Sequence, residues 1–163
     1  MLELLSPHAK RAVGIDVSPE MLAIARDRLL RENLSHAQVR LADTYRLPFA
    51  AASFDAVLFH QVLHYLDDPG AAVAESARVM RPGGRLVIAD FAPHELEFLR
   101  QDYAHRRLGF SDREVAGWFT AAGLDPGATL TIAPAHDRHA GEKLTVKVWL
   151  ATAKAQTKIS EAA

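Results

Sequence analysis

Three carboxylates stand where chemistry can be built. Asp16 closes the run Ala12-Val13-Gly14-Ile15-Asp16, Asp43 follows Ala37–Ala42, and Asp90 closes Arg85–Asp90. Each run reads as a strand, and in open α/β sheets ligands gather at the carboxyl ends of strands. Asp16 precedes Ser18 and Pro19, a cap and a first helical residue. An acid in that position can accept from both hydroxyls of a ribose, and it can equally cap the helix start or face water. Asp43, with Thr44, can accept from the exocyclic amine of an adenine or simply serve a turn. His60 and His64 are four residues apart, a spacing that could place them on one helix face. They could hold a metal in principle, but no third ligand is obvious, so no metal is expected. His60, His64, Asp90, His94 and Tyr103 are the groups able to move a proton near this rim, with His60 and His64 the catalytic candidates. Arg106-Arg107 reads as a solvated helix end ahead of an anion site.

The elements that must position these residues alternate. Residues 2–5 end a helix and 12–16 form a buried strand. Ser18-Pro19 opens a helix whose Leu22, Ala25 and Leu29 repeat at helical spacing, with Asn33 beyond its end. Strands are predicted at 37–42 and 54–59, and Leu47-Pro48-Phe49 lies in a loop. Asp68-Pro69 opens a helix with Ala72, Val73, Ser76, Val79 and Met80 on one face. Arg81-Pro82-Gly83-Gly84 breaks it. The following strand, apolar over Leu86–Ala89, suits a parallel strand covered on both faces. Helix is expected over 94–105 and again from Ser111, whose capping box with Glu114 runs to Ala122 and stops at Gly123. Strands close the pattern at 128–132 and 144–150, around a polar loop at 133–142. The expected fold class is therefore α/β, a doubly wound and mostly parallel sheet.

Composition narrows the function classes. Hydrophobic residues are 49% and charged residues 24% of 163, a balance that supports one sizeable core, and the net charge of −1 offers no broad nucleic-acid or membrane footprint. Cysteine is absent, which excludes disulfides, thiolate metal sites and thiol nucleophiles. No apolar run reaches spanning length. Met1–Ser6 carries no basic leader, so a cytoplasmic protein is expected. One domain over 1–153 with a flexible tail at 154–163 is predicted.

Three segments carry a resemblance. Val13-Gly14-Ile15-Asp16-Val17-Ser18-Pro19-Glu20-Met21-Leu22 resembles the second-strand region of class I S-adenosylmethionine-dependent methyltransferases. Leu47-Pro48-Phe49 with Ser53–Val57, and Arg78–Leu86 around Pro82-Gly83-Gly84, resemble the family's fourth-strand motif and its turn into the fifth. The segments keep the family's order and spacing over roughly residues 1–150. Asp90–Arg100 and Ala104–Phe110 resemble, more narrowly, bacterial methyltransferases fused behind ArsR-type helix-turn-helix domains, although no helix-turn-helix is evident in this chain. The resemblance implies methyl transfer from S-adenosylmethionine to a small-molecule acceptor. It places Asp16 on the ribose, Val17 and Met21 on the adenine face, Asp43 and Thr44 at its edge, and His60 and Gln61 near the methionine end. Direct nucleic-acid binding and membrane association are not expected, and a homodimer is left open.

One family feature is not found. No strand and glycine-rich turn precede Asp16, so the fold is expected to lack its first, central strand, the neighbour of the strands ending at Asp16 and Phe59. Buried backbone groups left without partners cost about 1–3 kcal/mol each, so a whole strand rivals the roughly 5–15 kcal/mol stability of a domain. The match opens in mid-helix, which predicts that Met1 is internal to a longer protein. A gene fragment, direct pairing of the flanking strands, and a strand from another chain are the alternatives. A non-catalytic ligand-sensing or interaction module on the same scaffold, and a nicotinamide-dependent enzyme, remain as competing functions. The second lacks a Tyr-x-x-x-Lys pair.

Overall fold

The computed structural model describes residues 1–132 and 144–155. The chain divides into two compact units, Met1–Pro48 and Phe49–Ala163, each described by itself. The polar loop expected at 133–142 and residues 156–163 of the expected tail lie outside the described residues.

The first unit starts with α1 (Leu2–Leu5) and builds on β1 (Ala12–Asp16), α2 (Pro19–Arg31) and β2 (Ala37–Leu41). The two strands run parallel, in register from Ala12 opposite Ala37 to Asp16 opposite Leu41. A parallel pair needs a crossover, and α2 supplies it. Ser18 caps that helix by accepting from the Met21 N–H at 3.1 Å, and Pro19 occupies the first turn where its missing N–H costs nothing. Its end is a Schellman motif: Leu34 N–H donates to Leu29 C=O, Asn33 N–H donates to Leu30 C=O, and Asn33 takes the left-handed φ of 53°. Leu22 and Leu29 are the buried residues of the helix.

The second unit is a four-stranded sheet in the order β3-β4-β6-β5. Its elements are β3 (Phe54–His60), α3 (Pro69–Val79), β4 (Met80–Phe91), α4 (Phe98–Asp102), α5 (Asp112–Ala121), β5 (Leu124–Ile132) and β6 (Val146–Ala153). The β3–β4 ladder is parallel, whereas β6 runs antiparallel to both β4 and β5. The α/β class is as expected, with an antiparallel end to the sheet. Asp68 caps α3 through Ala71 N–H, and Ala72, Val73, Ser76 and Val79 are buried, as the helical spacing predicts. Met80 leaves that face to begin β4, which starts earlier than expected. Along β4, Leu86, Ile88 and Asp90 are buried while Val87 and Ala89 are only half-buried, so the strand is less evenly covered than its apolar run suggests. The predicted capping box of Ser111 and Glu114 is present, and Gly123 follows the helix at φ 75°. Asp112 ties α5 to β6 by accepting from Lys147 Nζ and Trp149 Nε1, and these two donors hold its carboxyl below the usual range.

Among the described residues, β1 has a ladder partner only in β2, and β3 only in β4. Each of those two strands therefore has one side without a ladder.

The segment 92–110 is the structural surprise. A helix was expected over 94–105, but only Phe98–Asp102 is helical. Glu97 offers no side-chain cap, His94 Nδ1 accepts from Leu96 N–H, and Ala104 sits at a left-handed φ of 56°, so both ends of the expected helix are turned away. The segment is an excursion closed at its base. Phe110 N–H donates to Phe91 C=O at 2.9 Å and His94 N–H to Leu108 C=O at 3.0 Å. Gly109, at φ 82°, makes this closure possible, because a Cβ there would lie 2.1 Å from the Ala92 carbonyl oxygen. Gly83, at φ 77°, has nothing within 4 Å of the same position. Replacing Gly83 with Ala should cost about 1–2 kcal/mol from the left-handed backbone alone. Replacing Gly109 with Ala adds a backbone clash and should cost about 3 kcal/mol or more in urea unfolding. Equal costs at the two positions would show that the closure does not depend on the close approach.

Candidate functional site

The first unit presents a carboxylate beside open apolar side chains. Asp16 ends β1, and its Oδ1 accepts from Ser18 N–H at 2.9 Å. That bond orients the carboxylate at the mouth of α2. Val17 and Met21 are 70% and 53% exposed, which leaves two apolar side chains uncovered next to an oriented acid. Asp43 uses Oδ1 to accept from Tyr45 N–H at 2.9 Å and pairs by a backbone bridge with Arg46, so one of its oxygens serves the turn. Thr44 is half-buried within that turn.

The second unit gathers a different set. His60 is the exposed last residue of β3, and Gln61 leaves the strand at a left-handed φ of 52° while its N–H donates to Ala89 C=O at 2.8 Å. Non-glycine residues in this conformation concentrate at functional turns. His64 lies in a short 3₁₀ turn, Leu63–Tyr65, and is 2% exposed. The shared helix face that the spacing allows His60 and His64 is therefore not formed: one ends a strand, the other is buried in a turn.

His64 pairs with Asp90. Its Nδ1 lies 2.7 Å from Asp90 Oδ1, and Asp90 also accepts from Leu63 N–H at 3.0 Å and Phe91 N–H at 2.8 Å. Asp90 is wholly buried, so these donors replace water around it. With two backbone N–H groups already pointing at it, the carboxylate accepts and the imidazole Nδ1 donates. The parallel register explains the meeting. His60 lies opposite Ala89, so the residues just past the end of β3 meet the last residues of β4 and the 3₁₀ turn folds back over Asp90.

Three further rings enclose His64. Tyr65 and His105 lie 4.2 Å from it by ring centroid, and Phe91 lies 5.0 Å away. His105 stacks on Phe91 with a 16° tilt, and His94 meets Phe91 edge-on. Burial first, and His64 second, push both His94 and His105 below the usual imidazole range. Arg106 and Arg107 are exposed, as expected of solvated charges, but they lie in the loop past α4 and not at a helix end. Their backbone N–H groups both donate to His64 C=O, Arg106 pairs with the Asp67 carboxylate, and Arg107 reaches the Asp67 carbonyl. Tyr103 is exposed and follows α4. Sequence reading missed the Asp90–His64 pairing and His105 altogether. The usable signal was long-range: a strand ending in Asp90 next to a parallel strand followed closely by His64. No group of three or more His, Asp or Glu side chains among the described residues could hold a metal ion. No helix among them is long and apolar enough to cross a membrane.

Stability should respond to the two depressed imidazoles. In the unfolded chain a histidine titrates near 6.5, whereas His94 and His105 stay neutral to lower pH when folded. Between those values the unfolded chain binds more protons, so stability falls as pH drops through that window. The urea midpoint is expected to decline from pH 7.5 to 5.5, and His105→Gln should flatten the decline. A midpoint that stays level would contradict the burial assigned to these rings.

Comparison with known proteins comes to the same fold. The family model described as a methyltransferase domain matches residues 1–88. An uncharacterized 37.1 kDa protein in transposon Tn4556 of Streptomyces fradiae is 45% identical over 110 residues, 68% of this chain and 28% of that one. Methyltransferase GfsG of Streptomyces halstedii is 42% identical over 78 residues, 47% of this chain and 28% of that one. This chain thus spans less than a third of the length of these two relatives. The crystal structure of a putative methyltransferase from Bacillus halodurans superposes with a TM-score of 0.79 at 15% identity, over 93% of this chain and 87% of that one.

Proposed function

The chain belongs to this methyltransferase-domain family, and on that premise we propose that it transfers a methyl group from S-adenosylmethionine to a small-molecule acceptor. The observation that carries the reading is the Asp16 carboxylate, pinned by Ser18 N–H at the end of β1 with Val17 and Met21 uncovered beside it. These residues fit the nucleoside half of that cofactor. The carboxylate oxygen not used by Ser18 accepts from the ribose hydroxyls, Val17 and Met21 cover the adenine face, and Asp43 with Thr44 meets its edge. By the family resemblance alone, His60 and Gln61 would meet the methionine end. The cofactor supplies an electrophilic methyl group on a sulfonium.

His64 is the base of this reading. Asp90 holds its Nδ1 proton, which leaves Nε2 to accept a proton from the acceptor's hydroxyl. The rings of Tyr65 and His105 lie against His64 and border the approach to it. The narrower likeness to methyltransferases found behind ArsR-type helix-turn-helix domains is part of this proposal and rests on the sequence of residues 90–100 and 104–110 alone.

Calorimetric titration with S-adenosylmethionine tests the cofactor assignment. Saturable heat is expected, and Asp16→Ala should weaken binding on the order of ten- to hundredfold, the loss of hydrogen bonds to a charged group. Absence of heat would favour the non-catalytic module, and heat with NADH instead would favour the nicotinamide enzyme. A tritiated methyl group should pass into a small-molecule extract, and His64→Asn should slow that transfer about a hundredfold or more while leaving cofactor affinity unchanged. Unchanged transfer in that variant would remove His64 from the chemistry.

A further inference from the structure

Two ring nitrogens beside the His64–Asp90 pair have no hydrogen-bond partner among the described residues: His94 Nε2 and His105 Nδ1, both buried. An unpaired buried polar atom is costly, and folded proteins satisfy nearly all of them with protein, water or ligand. At His94 the character of the missing partner is fixed. Nδ1 accepts from Leu96 N–H at 3.3 Å, so the neutral ring carries its proton on Nε2, and that N–H needs an acceptor. Burial keeps both rings neutral near pH 7. A neutral N–H donor suits a neutral or anionic oxygen and offers nothing to a cation. The buried carboxylate of the cluster, Asp90, is already taken by three donors.

Aromatic surface leads to this pair. Tyr65 is 46% exposed, and its ring lies 4.2 Å from His64 and 5.2 Å, edge-on, from His105. Phe98 and Tyr103, exposed and packed edge-to-face, sit on the same excursion as both histidines. An aromatic ring docked on such faces gains about 0.5–1.5 kcal/mol per pair beyond its buried area.

We propose that His94 and His105 form an oxygen-binding subsite, and that the methyl acceptor is a hydroxylated aromatic ring rather than an amine cation, with Tyr65 as the face it lies on. The assignment of a methyl acceptor rests on the function proposed above; the subsite rests on the unpaired nitrogens. A trapped water offers the same oxygen chemistry, and the test separates the two.

Histidine-labelled protein, titrated without cofactor at pH 7.5 by 2-naphthol and separately by benzylammonium, gives the test by imidazole NMR. Saturable shifts at His94 and His105 are expected with naphthol alone, and His105→Phe should weaken naphthol at least tenfold. His94→Gln, at the less buried of the two positions, should do the same and guards against a variant that fails to fold. The subsite is overturned if naphthol gives no saturable shift, if benzylammonium gives the same shift, or if a long-lived water stays on both nitrogens at saturating naphthol. S-adenosylmethionine calorimetry on the same samples keeps the two readings apart. Cofactor heat without a naphthol shift sinks the subsite alone, and a naphthol shift without cofactor heat supports the subsite and sinks only methyl transfer.

Discussion

A carboxylate with no water around it organises the second unit. Asp90 is wholly buried and accepts from Leu63 N–H, Phe91 N–H and His64 Nδ1. An unpaired charge in that position would be prohibitive, so the chain after β3 must bring donors back over the end of β4. It does so by leaving the strand at Gln61 in a left-handed conformation and coiling into the 3₁₀ turn at Leu63. The turn then becomes an anchor in its own right, since His64 C=O takes the N–H groups of both Arg106 and Arg107. The excursion is thereby held at its far side by His64, and at its base by Phe91 and Gly109. A single desolvated acid thus dictates the path of two loops.

Much of this fold is legible in residue order because its signals are local. Ser18-Pro19, Asp68-Pro69 and the Ser111–Glu114 box each place a helix start to the residue, because a cap is a bond between a side chain and a backbone group within three positions. Asn33 past the end of α2 is legible for the same reason. β1 falls where its apolar run lies. What fails is whatever depends on partners distant in sequence. Residues 94–105 have helical spacing, yet the bonds from Leu96 to His94 Nδ1 and from Arg106 and Arg107 to His64 favour a loop. Arg106 is a solvated charge as it reads, but its partner Asp67 stands thirty-nine residues earlier, where no local pattern points to it.

The candidate site divides along the same line. Asp16 is readable because an acid between a strand and a capped helix is a local pattern, and its carboxylate is oriented by a residue two positions away. His64 was readable as a residue able to move a proton, but neither its burial nor its partner was. That pairing spans twenty-six positions and exists only because β3 and β4 run parallel in the register that sets His60 opposite Ala89. His105 carries no local signal at all; its place is set by the closure of the excursion.

The order β3-β4-β6-β5 has a consequence for how the second unit comes into being. β6 follows both of its neighbours in the chain yet lies between them, so β5 has no strand to pair with until Val146–Ala153 has been made. During synthesis Leu124, the buried apolar residue of β5, must wait for a strand that leaves the ribosome later. Pairing across such separations is slow, because loop-closure entropy is lost before the ladder returns it. A chain that starts folding at its N-terminal end therefore completes this sheet by insertion rather than by addition at an edge, and its most aggregation-exposed moment comes just before β6 arrives.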